Sequence, residues 1–354
     1  MKWQVINGNN IDILKEYPDN HFDSIVTDPP YGIAFLGKDW DSKKATETTS
    51  KLVALQNLPS GMKHTSLADD LEFQYWMRDV FVECNRVLKP GGHLLAFSAA
   101  RTYHHMAMAA QTAGFEIRDQ LQWIYGSGFP KAQDIGKAID KRGVENDFHG
   151  WKTALKPAHE PIVMARKPFK GSAIDNVLEH GVGALNIDES RVGDEEITRY
   201  PSNVIGEIPD YQKYFYCPKV SRRERHIGFD ELPETELLNN PTEMHKHPLW
   251  DPSIGKNPHR LMAKIREHNK IANNHPTVKP VELMKYLIKL VTPAGGRVLD
   301  PFNGSGSTGM AAVELGYEYV GCELDPDYVE IANKRIAAWE KQHDRPANNL
   351  FEDN

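Results

Sequence analysis

The segment that most constrains this chain is Val298-Leu299-Asp300-Pro301-Phe302-Asn303-Gly304-Ser305-Gly306-Ser307-Thr308, where an apolar strand pattern runs through glycines into a helix pattern. Such a turn belongs to an α/β sheet, and its glycines let backbone come close to a ligand. Glu323 stands nineteen positions beyond Gly304, after the next strand pattern, where α/β nucleotide folds place an acid to accept hydrogen bonds from ribose hydroxyls. Read as Gly304-x-Gly306-x-x-Gly309, the turn also fits a dinucleotide site. Alone, then, it leaves open a nicotinamide or flavin oxidoreductase, and a plain tight turn accounts for it about as well.

The rest of the chain supplies further α/β units. Strand patterns fall at 4–7, 24–26, 93–98, 115–125, 161–165, 297–299 and 319–322, and helix patterns at 11–17, 71–88, 103–113, 281–291, 307–315 and from 326 onward. Residues 35–66 turn to Ser, Thr, Lys and Gly, as a loop or lid would. Between 170 and 274 the periodicity weakens, and Lys219-Val220-Ser221-Arg222-Arg223-Glu224-Arg225 carries four basic side chains. That stretch reads as an inserted domain, and the polar tail from 343 as frayed.

At 354 residues the chain is about twice a usual ~150-residue domain, so a second domain or large insertion is the default. The 40% hydrophobic and 26% charged residues are ordinary for a folded protein and argue against disorder. No apolar run approaches the ~20 residues of a membrane span, and Met1-Lys2-Trp3-Gln4 leads into a strand pattern rather than a secretory signal, so a cytoplasmic protein with no membrane contact is expected. Cys84, Cys217 and Cys322 lack Cys-x-x-Cys spacing, and the histidines at 245, 247, 259, 268 and 275 lack acids at ligand spacing, so no metal site is expected. The net charge of −7 gives no overall support for nucleic acid, which leaves any phosphate contact to a local patch such as Lys219, Arg222, Arg223 and Arg225. A solvated face is the ordinary fate of such a run. Trp123 and Trp151 read as packing residues.

A second element carries chemistry. Asp28-Pro29-Pro30-Tyr31 follows a strand pattern, and consecutive prolines fix φ and hold the carboxylate of Asp28 and the carbonyl of Pro29 as two acceptors on one rigid turn. An exocyclic base amine is a poor nucleophile because its lone pair is delocalised into the ring. Two acceptors on its hydrogens would draw the nitrogen toward tetrahedral geometry, with Tyr31 free to stack on a base swung out of the duplex. Asp-Pro-Pro is also ordinary turn chemistry, so the element does not decide the matter alone.

Together, Thr27-Asp28-Pro29-Pro30-Tyr31-Gly32, His275-Pro276-Thr277-Val278-Lys279-Pro280 and Leu299-Asp300-Pro301-Phe302-Asn303-Gly304-Ser305-Gly306 resemble the β-group DNA amino-methyltransferases, in which the catalytic half precedes the cofactor half. Trp123-Ile124-Tyr125-Gly126-Ser127-Gly128-Phe129-Pro130-Lys131 and Ala154-Leu155-Lys156-Pro157-Ala158-His159-Glu160-Pro161-Ile162 look like a phage and bacterial branch of that family, so the likeness covers most of the chain. The resemblance implies a class I, Rossmann-like methyltransferase sheet of seven mostly parallel strands, the last antiparallel, circularly permuted. It implies a catalytic half at 1–169, a target-recognition insert at 170–274 and a cofactor half at 275–342.

By that resemblance S-adenosylmethionine is the methyl donor, lined by Asp300, Phe302, Gly304 and Gly306, its ribose held by Glu323 and its methionine end near Thr277 and Lys279. Asn9 stands where the family more often has an aspartate beside the cofactor adenine, and its amide oxygen can take the same bond. Asp28, Pro29, Pro30 and Tyr31 carry over as the amine site, and duplex DNA as the substrate after base flipping. The family analogy also implies a homodimer and a cognate restriction nuclease as partners. The favoured reaction is methylation of adenine N-6, because cytosine N-4 enzymes more often have serine at position 28. A glutamine-amide or RNA methylase normally has Asn-Pro-Pro-Tyr after the glycine turn, and here the order is reversed. A cytosine carbon-5 enzyme needs a nucleophilic cysteine after proline, and none is present.

Overall fold

The computed structural model describes residues 2–32, 66–125, 132–155, 157–193, 198–206, 224–225, 227–228 and 278–343. The expected loop at 35–66, apart from its last residue Ser66, the tail from 344 and most of the weakly patterned stretch after 206 lie outside the described residues.

In chain order the elements are β1 (Trp3–Asn7), α1 (Asn10–Lys15), β2 (Phe22–Thr27), α2 (Ser66–Val87), β3 (Leu88–Phe97), α3 (Tyr103–Thr112), β4 (Glu116–Ile124), α4 (Ile135–Asp140), β5 (His159–Arg166), α5 (Ala173–His180), the short β6 (Val192–Gly193), β7 (Thr198–Arg199) and β8 (Val204–Gly206), then α6 (Val281–Val291), β9 (Arg297–Asp300), α7 (Ser307–Glu314), β10 (Glu318–Glu323) and α8 (Pro326–His343). The main sheet has the order β1-β10-β9-β2-β3-β5-β4-β8, and β6 and β7 form a separate pair. Pairs β1/β10, β10/β9, β9/β2 and β2/β3 are parallel, whereas β5 runs antiparallel to both β3 and β4. The expected seven-stranded, mostly parallel sheet with one reversed strand is therefore present. Its permutation is visible in β9, from late in the chain, lying beside β2, from its start. An eighth strand, β8, pairs parallel with β4 at the edge.

Apolar residues cover both faces, as a parallel sheet requires. On one side α6 and α7 pack through Leu283, Met284, Leu287, Ile288, Met310 and Ala311 against Val26, Leu95 and Val298. On the other, α2 and α3 contribute Met77, Val80, Phe81, Met106 and Ala110 against Ile25, Leu94 and Leu299. Neighbouring residues of one strand, Ile25 and Val26 for example, thus serve opposite layers.

One difference from the sequence reading has a physical cause. Strand β3 begins at Leu88, not after Pro90-Gly91-Gly92: Leu88 is fully buried opposite Phe22, and the ladder then jumps from Phe22↔Leu88 to Ser24↔His93. The proline and glycines sit in that irregularity, where a missing N–H costs no ladder bond. The first described residues of the stretch from 170 pack against the first half. Asn176 of α5 donates to the carbonyls of Pro90 and Val182, and β8 joins the main sheet.

Arg335 of α8, fully buried, reaches the carbonyl and hydroxyl of Ser305 and, at 3.1 Å, the carbonyl of Glu224, whose carboxylate accepts the Val281 N–H at 2.5 Å. Residue 224 is thereby fastened to both the glycine turn and the start of α6. Among the described residues no helix is long and apolar enough to cross a membrane.

Candidate active site

The glycine turn opens at the carboxyl end of β9. Asn303 N–H donates to the carbonyl of Cys322 at 2.9 Å, and the Tyr319 hydroxyl donates to Asn303 Oδ1 at 2.7 Å, so β10 holds the turn from beneath. Gly304 and Gly306 have φ of 52° and 83°, a region L-residues seldom adopt. A Cβ on Gly306 would meet Ala332 and Ile336 of α8 at 3.1 Å. That glycine allows the close approach of α7 and α8.

Glu323 ends β10. Its carboxylate accepts the N–H groups of Gly304 at 2.8 Å and Asp325 at 2.9 Å. Burial pushes its pKa up to about 7, against the lowering effect of those two bonds. Asn7 of β1 lies in register with Glu323, and Gly8 N–H bonds its carbonyl at 2.9 Å, so Asn9 follows at the same sheet end. The Asn9 oxygen caps α1 by accepting the Ile11 N–H at 2.9 Å. Asn10 donates to the carbonyl of Pro301. Phe302 is half-buried with its ring edge-on to Trp76 at 5.8 Å between centroids, an aromatic neighbour the sequence reading did not single out.

Asp300, 2% exposed, does not present a free carboxylate to a ligand. It accepts the Thr27 hydroxyl at 2.7 Å, the Thr308 hydroxyl at 2.6 Å and the Phe302 N–H at 3.0 Å. Burial nevertheless pushes its pKa up to about 6. Through Thr27 it ties the glycine turn directly to the turn that carries Asp28.

At that second turn Pro29 is buried and Asp28 lies partly open. The Tyr31 hydroxyl stands 2.7 Å from Asp28 Oδ1 and 2.8 Å from Glu160 Oε2; a phenol has one hydrogen, so it donates to one carboxylate at a time. Lys279 Nζ donates to Asp28 Oδ2 at 2.5 Å and to the Tyr31 oxygen at 3.2 Å, and lies 3.2 Å from Glu160 Oε2. The Tyr125 hydroxyl donates to Glu160 Oε1 at 3.3 Å.

Burial raises the pKa of Asp28, opposed by Lys279 and reinforced by Glu160. For Lys279 burial works toward a lower pKa, but Asp28 and Glu160 outweigh it and the ammonium is held above its ordinary range. Tyr31 is pushed well above its usual value by burial and both carboxylates, so it acts as a neutral donor.

The structure therefore gathers Asp28, Pro29, Tyr31 and Lys279 at one turn, and Asn9, Phe302, Gly304 and Glu323 at the neighbouring one. Both sit at the carboxyl ends of adjacent parallel strands, where open α/β sheets bind ligands. Lys279, expected near the methionine end of a cofactor, has its ammonium on the Asp28 turn. Glu160 and Tyr125 were missed: both fall in runs that carried the family likeness, but their meeting depends on β5 lying between β3 and β4. Thr277, Lys219, Arg222 and Arg223 lie outside the described residues, and Arg225 is half-buried, near enough to Arg335 to lower its pKa. Trp123 packs edge-on to Phe97 at 6.4 Å, whereas Trp151, read as a packing residue, is 65% exposed beside Phe148.

A carboxylate and a phenol fixed beside a glycine cradle can orient a hydrogen-bearing amine next to a second bound molecule. Comparison with known proteins agrees. A family model described as "DNA methylase", of the N6/N4 type, matches residues 22–334. The type II methyltransferase M.HindIII of Haemophilus influenzae is 27% identical over 350 residues, covering 94% of each chain. The DNA adenine methyltransferase YhdJ of Escherichia coli is 23% identical, over 94% of this chain and 82% of its own. Among solved structures, PvuII DNA methyltransferase, titled cytosine-N4-specific, superposes with a TM-score of 0.54 at 15% identity, covering 96% of this chain and 92% of its own, a likeness of fold. The protein belongs to the N6/N4 DNA methylase family, enzymes that methylate DNA with S-adenosylmethionine as donor.

Proposed function

We propose that this enzyme methylates the N-6 amine of adenine in duplex DNA after the base is swung into the pocket at Asp28. The observation that carries the reading is the Thr27–Asp300 bond of 2.7 Å, which sets the Asp-Pro-Pro-Tyr turn and the glycine turn side by side as acceptor and donor sites. S-adenosylmethionine supplies an already activated methyl group, so positioning is the main demand on the protein.

The chain's residues fit that donor. Positive-φ Gly304 leaves backbone open to close approach, Glu323 offers a carboxylate for ribose hydroxyls, Asn9 lies at the adjoining strand end, and Phe302 gives an aromatic surface. Asp28 and the carbonyl of Pro29 take the two amine hydrogens, and Tyr31, its ring angle fixed through its hydroxyl, flanks the base. Asp28 rather than serine favours adenine over cytosine N-4. Residues 170–274 supply target recognition, with Lys219, Arg222 and Arg223 on phosphates.

The test is incubation with labelled S-adenosylmethionine and unmethylated mixed-sequence duplex DNA, followed by nucleoside digestion and mass spectrometry. Label in N-6-methyl-deoxyadenosine is the expected result. Label in N-4-methyl-deoxycytidine moves the base, and label absent from DNA refutes the reading.

Glu323 gives a further expectation. With its pKa near 7, the fraction ionised, and so able to accept from two ribose hydroxyls, falls as pH drops below 7. Donor affinity measured by calorimetry should weaken by roughly threefold to tenfold from pH 8 to pH 6, and Glu323→Gln should flatten that dependence. A wild-type affinity constant across this range would remove Glu323 from the ribose site.

A further inference from the structure

The contacts of Asp28 pose a problem. Both oxygens of Asp28 are engaged, Oδ2 by Lys279 at 2.5 Å and Oδ1 by Tyr31 at 2.7 Å, yet an incoming amine needs that carboxylate as its acceptor. Lys279 is 5% exposed, so water cannot take over its charge, and a buried ammonium stripped of its counter-ion is strongly disfavoured.

We propose that Glu160 is a positioning residue that receives Lys279 and Tyr31 when the target amine engages Asp28. This rests on the reading of Asp28 as the amine acceptor. Each group bonded to Asp28 already has Glu160 Oε2 as its second neighbour, Lys279 at 3.2 Å and Tyr31 at 2.8 Å. The exchange needs a small shift of one ammonium and rotation of one hydroxyl.

The receiving carboxylate is itself fixed. Glu160 lies in β5 between β3 and β4, and its other oxygen accepts from Tyr125 at 3.3 Å. The ring faces of Phe97 and Tyr31, with centroids 5.0 and 5.6 Å from Nζ, favour the cation along the way. Removing the charge at position 160 would leave Lys279 with Asp28 as its remaining anion among these contacts, and the amine would compete against a locked ion pair.

The experiment compares wild type, Glu160→Gln, Glu160→Asp, Lys279→Met and the Glu160→Gln/Lys279→Met double variant. Readouts are label transfer to unmethylated duplex DNA, with kcat and KM separated, and S-adenosylmethionine binding by calorimetry. Glu160→Gln should lower kcat/KM for DNA on the order of 100-fold, with donor affinity within about twofold of wild type. Glu160→Asp, which keeps the charge, should recover most of that loss. In the Lys279→Met background the same Glu160→Gln change should cost less than about threefold, because no ammonium remains to be received.

A merely structural Glu160 would cost the same in both backgrounds, and that result overturns the inference. So does a Glu160→Gln enzyme with wild-type transfer. Wild-type protein that labels no DNA overturns the methyl-transfer reading itself, and the inference with it.

Discussion

Alanine at position 28 is expected to lower methyl transfer to DNA by at least roughly 10²–10³-fold, while S-adenosylmethionine binds as before. The carboxylate of Asp28 is the acceptor that would hold the amine, and removing a preorganised group at a reacting centre carries a penalty of that order. The fold should survive, because Lys279 and Tyr31 each retain Glu160 within 3.2 Å. The donor site should survive as well, because Thr27 and Asp300, which join the two turns, are untouched. Calorimetry with the donor and label transfer to DNA give the two readouts. Loss of donor binding alongside activity would show that Asp28 faces the cofactor. Asp28→Asn is the milder probe: it keeps the shape and one acceptor oxygen but removes the charge that draws on the amine hydrogens, so its transfer should fall between alanine and wild type.

The sheet was legible because hydrophobic period and turn chemistry are local. Strands β2, β5, β9 and β10, and helices α3, α6 and α7, follow from apolar spacing bounded by glycine or proline. Sheet order is not local: the likeness to a permuted family implied a permutation, but the neighbouring of β9 and β2 is something neither strand's residues could have announced. The residues named for the site divide in the same way. Asp28 and Tyr31 share one tetrapeptide, and the glycine turn carries Phe302 and Gly304 in sequence. Glu160 and Tyr125 become site residues only when an antiparallel strand brings them together from separate segments.

Asp300 shows how a motif position can be found while its contacts stay hidden. Expected as a cofactor contact, its carboxylate accepts from Thr27, Thr308 and the Phe302 N–H, each bond pointing to a different element of the site. Sequence spacing offers no sign of Thr27 as a partner 273 positions away.

That arrangement makes Asp300 a tie between the two turns. Asp300→Ala leaves two hydroxyls and one N–H without their acceptor in a region where Thr27 is fully buried and Thr308 is 3% exposed. At about 1–3 kcal/mol for each orphaned donor, a loss of about 3–5 kcal/mol is expected, a large part of the ~5–15 kcal/mol that holds a domain together. Donor binding should weaken with it as the glycine turn loosens. Asp300→Asn should cost much less near neutral pH: the amide oxygen accepts from one threonine, its NH2 donates to the other hydroxyl oxygen, and the energy of ionising a buried acid is avoided.

The pH dependence separates charge from shape. Burial raises the Asp300 pKa from 3.8 to about 6, so the folded state holds this proton more tightly than the unfolded chain does. Its contribution is fully present below about pH 4 and is lost as pH rises through about 6, a change of about 3 kcal/mol for two pKa units. Urea unfolding of wild type against Asp300→Asn should therefore show the wild type losing ground relative to the variant between pH 4 and pH 7, and holding level above pH 7. A stability difference constant across that range would mean that the three donors, rather than burial, decide the ionisation of Asp300, and that the turn is held by a full charge at every working pH.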